Sequence, residues 1–492
     1  MPSLNQLSGI EIRDKIRTQE ISSEDIVLAC FKRINDVESK INAFTEVFEK
    51  EAVKRAKEID KKIKKGEKVG NLAGIPLAVK DLISVKGHQT SAGSKMLNGY
   101  ISPYDSTVIE RLVRKQDAII IGTTNMDEFA MGSSTESSFY GATYNPWNLK
   151  FVPGGSSGGS GAAIAADETI LSLGSDTGGS IRCPAAYCGV AGIKPTYGRV
   201  SRYGIIAYAN SLEQVGPISK TVKDSALVLQ NMAGKDPKDA TTVDESVENY
   251  LDIIENGIED FTIGIPNEFY GEGLDPDVEK QVRNAIKILE KKGSNIIKVS
   301  LPHIEYALPT YYLIAMSEAS SNLARFDGIR YGYKTDNTDG NFNEVFSRTR
   351  GEGFGPEVRR RIILGTYALS AGYFEMFYIK ALKVRTLIRQ DFLKAYEKCD
   401  VLIGPTMPAT AFEIGTKLDD PIQMYLEDIL TVPINLAGIP SMSLNCGFAS
   451  NGMPVGMQIM GKFFKESDIF RTAYVLEQEM KYFKQRPDLG GY

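Results

Sequence analysis

The stretch SLGSDTGGSIRCP, residues 172–184, puts Ser180 behind two glycines and ahead of Arg182. Glycines bring no Cβ, so backbone N–H groups can crowd around that serine and stabilise the oxyanion of an acyl-transfer step. A serine nucleophile also needs a base. The chain has only two histidines, His88 and His303, and both read as surface or loop residues with no part in chemistry. A second glycine-rich stretch, VPGGSSGGSGAA at 152–163, runs straight into AAIAAD, a good helix start, which argues against a flexible linker. No lysine follows it in the pattern of a phosphate-binding loop. Its match to a dinucleotide-binding fingerprint is poor. Upstream, PLAVKD ends a short apolar run on a lone lysine, Lys80.

Taken together, PLAVKD, GGSSGGS and SDTGGSIRCP resemble the amidase signature family, in which a Ser–cis-Ser–Lys triad hydrolyses amide bonds. Carried over position by position, the resemblance implies Ser180 as nucleophile, Ser156 as relay serine and Lys80 as base. It further implies a cis peptide between Gly155 and Ser156, and an oxyanion hole built from the N–H groups of Thr177, Gly178, Gly179 and Ser180. The fold it implies is α/β, a central mixed β-sheet flanked by helices on both sides. A lysine with an ordinary pKa near 10.4 works as a base at neutral pH only if burial makes the neutral form accessible. The apolar PLAV before Lys80 and the uncharged loops around it suit that need.

Neighbouring residues have plainer readings. Asp176 and Arg182 read as an ion pair that braces the nucleophile loop, Asp81 as a cap or turn ligand, and Cys183 as packing.

Longer stretches, among them TTNMDEFAMGSSTESSFYGATYNPWN, IKPTYGRVSRYGIIAYANSLEQVGPIS and SEASSNLARFDGIRYG, resemble one branch of that family, the glutamine-hydrolysing subunits of tRNA-dependent amidotransferases. That branch implies glutamine as substrate, an acyl-Ser180 ester, and ammonia passed on to amidate Glu-tRNA(Gln) or Asp-tRNA(Asn). It implies a heterotrimer with subunits B and C, tRNA bound mainly by the partner, and ATP and magnesium in the partner's chemistry, so this chain itself is assigned no cofactor and no metal. Free glutamine is a zwitterion, and its pocket should offer a cation to the carboxylate and an anion to the ammonium. By resemblance the candidates are Arg360, Asp428 and Tyr311, with Met131 and Ser133 near the reacting amide. Inspection does not separate Tyr311 from Tyr312, or Arg360 from Arg361. A stand-alone amidase acting on small amides would need no zwitterion-reading pair, and a silent scaffold would not need all three triad positions filled.

The elements that must position these residues are legible in outline. Residues 1–66 read as amphipathic helices, with Ser22 and Asp25 placed as a capping box. Residues 67–222 carry the triad motifs among short apolar runs typical of buried strands. Residues 223–399 alternate strand and helix, including helical sequence from Tyr367 to Cys399, and 400–492 return to the sheet; the whole 1–492 reads as one large domain. The uncharged stretch from Ile429 to Gly461 is long enough to span a bilayer, but Pro433, Pro440, Pro454 and its glycines make it read as buried strands and turns. The net charge of −5 disfavours a chain that grips phosphate backbones by itself. Five scattered cysteines suggest reduced thiols, and with no signal-like N-terminus the expectation is a cytoplasmic protein without a membrane segment.

Overall fold

The computed structural model describes residues 3–490. Its frame is a mixed sheet. In chain order the strands are β1 (Phe44–Val47), β2 (Pro76–Lys80), β3 (Ile119–Thr124), β4 (Leu171–Asp176), β5 (Ala191–Lys194) and β6 (Gln214–Ser219). They continue as β7 (Thr262–Pro266), β8 (Asn295–Val299), β9 (Val401–Pro405), β10 (Ser441–Phe448) and β11 (Pro454–Gly461). Their order across the single sheet is β1-β3-β2-β4-β6-β5-β10-β11-β9-β7-β8. Helices flank it and complete a mixed α/β architecture.

The middle of the sheet explains the sequence pattern around Lys80. β2 lies between β3 and β4 and is parallel to both. A strand covered on both faces has no solvent side, so it shows a continuous apolar run instead of alternation. All five residues of PLAVK are buried. Lys80 pairs in register with Thr124 at the carboxyl end of this parallel set, where open α/β sheets place their reactive groups. Ser175 sits near the matching end of β4.

Three local readings of the sequence are corrected. The N-terminal segment is not purely helical, because Phe44–Val47 forms β1 between the helices Ser23–Ile41 and Glu49–Lys64 and pairs antiparallel with β3. The run from Tyr367 to Cys399 is not one helix. The helix Pro356–Ala368 ends first, Gly372 turns the chain at a φ of +85°, and a π-type turn leads into the helix Lys380–Tyr396. Within the uncharged stretch, Val432–Ala437 is a short helix with Pro433 in its first turn and Gly438 closing it at a φ of +81°. The antiparallel pair β10–β11 follows. The capping box at Ser22 and Asp25 is present, and Ile26, Val27, Cys30, Ile34 and Val37 face the core. Among the described residues, no helix is long and apolar enough to cross a membrane.

The helices Ala307–Leu323 and Pro356–Ala368 pack against each other at a glycine. A Cβ on Gly365 would stand 1.9 Å from the Met316 carbonyl oxygen. Backbone cannot yield as a side chain can, so Gly365→Ala is expected to cost about 1–3 kcal/mol of stability. Thermal denaturation checks this, and an unchanged Tm would contradict the close helix contact.

Candidate active site

Lys80 is wholly buried and meets three hydroxyls: Nζ lies 2.7 Å from Ser156 Oγ, 2.8 Å from Ser157 Oγ and 3.0 Å from Ser175 Oγ. Burial lowers its pKa from the ordinary lysine value to about 7. The negative charges of Asp127, Asp176 and Glu213 oppose that fall without cancelling it. Desolvation penalises the cation and none of the three hydroxyls carries a compensating charge, so the amine loses its proton easily.

The Gly155–Ser156 peptide is cis. The loop around it is built on Asp127, whose carboxylate accepts from the Thr135 N–H at 2.9 Å and from Ser137 Oγ at 2.8 Å. A Cβ on Gly155 would fall 2.1 Å from Asp127 Oδ2, so only glycine fits before the relay position. The serine loop is held from the other side. Arg182 and Asp176, both fully buried, form an ion pair at 3.0 Å. Arg182 also donates to Asn435 Oδ1 at 2.6 Å, to Gln458 Oε1 at 3.0 Å and to the Thr431 carbonyl at 3.1 Å. Burial pushes the Asp176 carboxyl upward, but the Arg182 guanidinium beside it holds it at about 2.

Ser180 is almost buried, with 7% of its surface exposed. Its link to the relay loop is through backbone: the Ser157 N–H donates to the Ser180 carbonyl at 3.2 Å. Among the described residues, no hydrogen bond joins Ser180 Oγ to Ser156 Oγ. Not all four backbone donors that the resemblance implied for an oxyanion hole are unengaged. The Gly179 N–H is already given to Asp176 Oδ1 at 2.9 Å, because that carboxylate sits inside the turn. The N–H groups of Thr177, Gly178 and Ser180 have no acceptor within the described residues. Gly178 and Gly179 are both required here. A Cβ on Gly178 would lie 2.5 Å from the Tyr311 ring, and Gly179 adopts a φ of +140° with Thr431 Oγ1 at 2.5 Å from its would-be Cβ.

A second cluster gathers around Asp428, which accepts from Ser133 Oγ and from the Tyr312 hydroxyl, each at 2.8 Å. Burial raises its carboxyl to about 7, against the pull of those two donors and of Arg361. Tyr311 stands edge-on to Tyr312, with ring centroids 5.0 Å apart, and its ring backs Gly178. The neighbouring tyrosines thus divide the work, one packing on the serine loop and one bonding Asp428. Met131 is buried on the same loop as Ser133, its N–H on the Glu128 carbonyl at 3.0 Å.

The structure does not bring Arg360 into this cluster. Arg360 keeps 40% of its side chain in solvent and pairs with Glu357 one turn back. Arg361 is the inward guanidinium, since adjacent helical residues point roughly a hundred degrees apart. It is buried, donates to Glu357 Oε1 and to the Tyr208 hydroxyl at 2.7 Å each, and lies over the Tyr312 ring at 5.3 Å.

Asp81 holds a turn by accepting from the Ser91 N–H at 3.0 Å and from its hydroxyl. Cys183 is buried beside Val152 and Tyr187, with its thiol pushed up by burial. His88 pairs with Glu51 and His303 with Asp391, each apart from this site. Among the described residues, no group of three or more His, Cys, Asp or Glu is arranged to hold a metal ion. Reading the sequence missed Ser157 and Ser175 as partners of Lys80, and Asp127 as the support of the Ser156 loop, and it left Tyr312 unseparated from Tyr311. The first two lay inside quoted motifs, and their signal was an excess of hydroxyls in otherwise apolar sequence.

Acylation of Ser180 should therefore rise with pH through a limb near 7, as Lys80 loses its proton. Lys80→Ala should lower the rate by roughly 10²–10⁴-fold, the usual worth of a general base. A rate profile flat across neutral pH, or full activity in the alanine variant, would remove Lys80 from the role.

The Amidase family model matches residues 25–470 of the chain. A glutamyl-tRNA(Gln) amidotransferase A-subunit from a Geobacillus species is 54% identical over 97% of this chain and 98% of its own length. The protein of the same name from Methanosarcina barkeri is 55% identical over 98% of each chain. The crystal structure of the glutamyl-tRNA(Gln) amidotransferase A-subunit from Thermotoga maritima superposes with a TM-score of 0.82 at 38% identity, covering 99% of both chains.

Proposed function

The chain belongs to the amidase family, and from that premise we propose that it is the glutamine-hydrolysing subunit of a tRNA-dependent amidotransferase. The observation that carries this reading is a buried, easily neutralised lysine among serines, set near a carboxylate and a guanidinium that could read a free amino acid. Near full-length identity above one half to proteins of that name supports it.

In this reading Ser180 Oγ attacks the side-chain amide carbon of glutamine. Its proton passes to Ser156 as Ser156 gives its own to Lys80. The oxyanion is taken up by the N–H groups of Thr177, Gly178 and Ser180, each such donor being worth about 2.7–4 kcal/mol of barrier. Lys80, now cationic, returns a proton through Ser156 to the departing ammonia, leaving a glutamyl ester on Ser180. Water then attacks the ester with the same proton path reversed, and glutamate leaves. Asp428 faces the α-ammonium and Arg361 the α-carboxylate, with guanidinium N–H groups left over after Glu357 and Tyr208 are served.

The ammonia goes to partner subunits, B and C of a heterotrimer, where it amidates glutamate on tRNA(Gln) or aspartate on tRNA(Asn). The partner holds the tRNA and uses ATP and magnesium, and this chain contributes neither. The site of action is the cytoplasm, where those tRNAs are charged.

Ammonia release from glutamine, measured with this chain alone and with its partners in the presence of charged tRNA and ATP, tests the proposal. Ser180→Ala should abolish release and leave the fold intact; release at the wild-type rate refutes the assignment. Arg361→Gln should raise KM for glutamine roughly tenfold to a hundredfold, the cost of a lost charge-assisted bond, while Arg360→Gln should leave it nearly unchanged. The reverse order would move the carboxylate contact outward.

Protonation gives a further check. Only ionised Asp428 pairs with an ammonium, and its carboxyl titrates at about 7, so affinity should be full above that value and fall as pH drops through it. KM should rise on acidification, and Asp428→Asn should have a high KM that no longer depends on pH there. A wild-type KM that is flat between pH 6 and 8, about one unit either side, contradicts the pairing.

A further inference from the structure

Three hydroxyls surround Lys80 Nζ, and a serine–serine–lysine triad uses only one of them. A neutral amine has two N–H donors and one lone pair, so three neighbours cannot all accept from it; one must donate. Ser157 is not free to do so. Its hydroxyl proton is given to the Ser175 carbonyl at 3.1 Å, while its oxygen accepts from Lys80 at 2.8 Å and from the Ser175 N–H at 3.3 Å. One amine N–H is therefore committed to Ser157. The other N–H and the lone pair are divided between the hydroxyls of Ser156 at 2.7 Å and Ser175 at 3.0 Å, neither of which bonds another side chain among the described residues.

We propose that Ser157 and Ser175 are positioning residues that take the two N–H groups of neutral Lys80, so that its lone pair is left facing the Ser156 hydroxyl. This rests on the triad assigned above and extends it. The shortest of the three contacts is the one that must carry the proton. When Ser180 attacks, its O–H bond breaks and its oxygen bonds to the acyl carbon. The Ser156 oxygen gains the Ser180 proton, the original Ser156 O–H breaks, and a third N–H forms on Lys80. The resulting ammonium then donates to all three hydroxyl oxygens at once, a set of acceptors already in place. The Ser157 hydroxyl makes no cap bond to its own helix, Gly158–Ala165, so its hydrogen bonds all serve Lys80 and β4.

The test uses the full chain and a small alkyl fluorophosphonate, with mass spectrometry following label at Ser180. In that reaction an O–P bond forms, the P–F bond breaks, fluoride leaves and the Ser180 proton takes the route through Ser156 to Lys80. The probe does not depend on glutamine. Wild type that labels but releases no ammonia from glutamine would sink the proposed function and leave this test standing; wild type that fails to label would sink both. Ser157→Ala and Ser175→Ala should label roughly 10–100-fold more slowly on the plateau, as expected for a reacting group turned out of line. Their acid limbs should move to lower pH, because the ammonium has lost an acceptor and the neutral amine is favoured further. Ser175→Thr, which keeps a hydroxyl, should recover most of the rate and the wild-type limb. Labelling of both alanine variants at the wild-type rate overturns the proposal. So does slowing with a limb that stays in place or moves to higher pH, the mark of loosened packing and readmitted water, or a threonine variant as slow as alanine.

Discussion

A primary amine sealed inside a protein has two ways to lower its free energy: it can find a carboxylate, or it can give up its proton. This chain contains both solutions. Lys220 is buried and sits 2.5 Å from Asp167, a paired cation. Among the described residues Lys80 hydrogen-bonds only hydroxyls, and the carboxylates of Asp127, Asp176 and Glu213 act from a distance. The balance sets its pKa at about 7, so a substantial fraction is neutral at ordinary pH, the condition that the proposed base role requires. A depressed pKa is not sufficient. Lys194 is also buried and pulled to about 7, yet its Nζ donates to the Pro195 carbonyl and, among the described residues, bonds no hydroxyl. What sets Lys80 apart is burial and hydroxyl geometry acting together.

The nucleophile loop depends on the same low-dielectric surroundings used in the opposite way. Arg182 and Asp176 are both fully buried, a costly arrangement unless every donor and acceptor is met. They are met by Asn435, Gln458 and the Thr431 carbonyl, which come from the far end of the chain. The pair also decides which backbone donors of the loop are engaged. Asp176 takes the Gly179 N–H for itself, and those of Thr177, Gly178 and Ser180 have no acceptor among the described residues. One ion pair thus closes the loop, ties it to β11 and the helix Val432–Ala437, and selects its donors.

The Asp428 cluster is an assembly of a different kind. Ser133 comes from the loop after β3, Tyr311 and Tyr312 from the helix Ala307–Leu323, Arg361 from the helix Pro356–Ala368, and Asp428 from the segment before the helix Val432–Ala437. The two helices are held close enough for this by Gly365, whose missing side chain lets backbone meet backbone. The Asp428 cluster and the loop before Ser180 therefore meet at Tyr311, which touches both Tyr312 and Gly178.

Much of the candidate site was written locally. PLAVK reads as a buried strand because an apolar run without alternation has no solvent face, and Lys80 at its end cannot escape that burial. The glycines around Ser156 and Ser180 announce tight backbone, and the Asp176–Arg182 pair is close enough in sequence to be read as one unit. Local sequence also gave way in places: Phe44–Val47 was taken into the sheet because β3 offered it an edge, against the helical character on either side. What inspection left open was direction. Whether Arg360 or Arg361 points inward, which tyrosine reaches Asp428, and which hydroxyls besides Ser156 surround Lys80 depend on how a helix is rotated and where distant loops end. Those are outcomes of packing across the sheet, set by contacts between residues hundreds of positions apart, and no short window of the chain contains them.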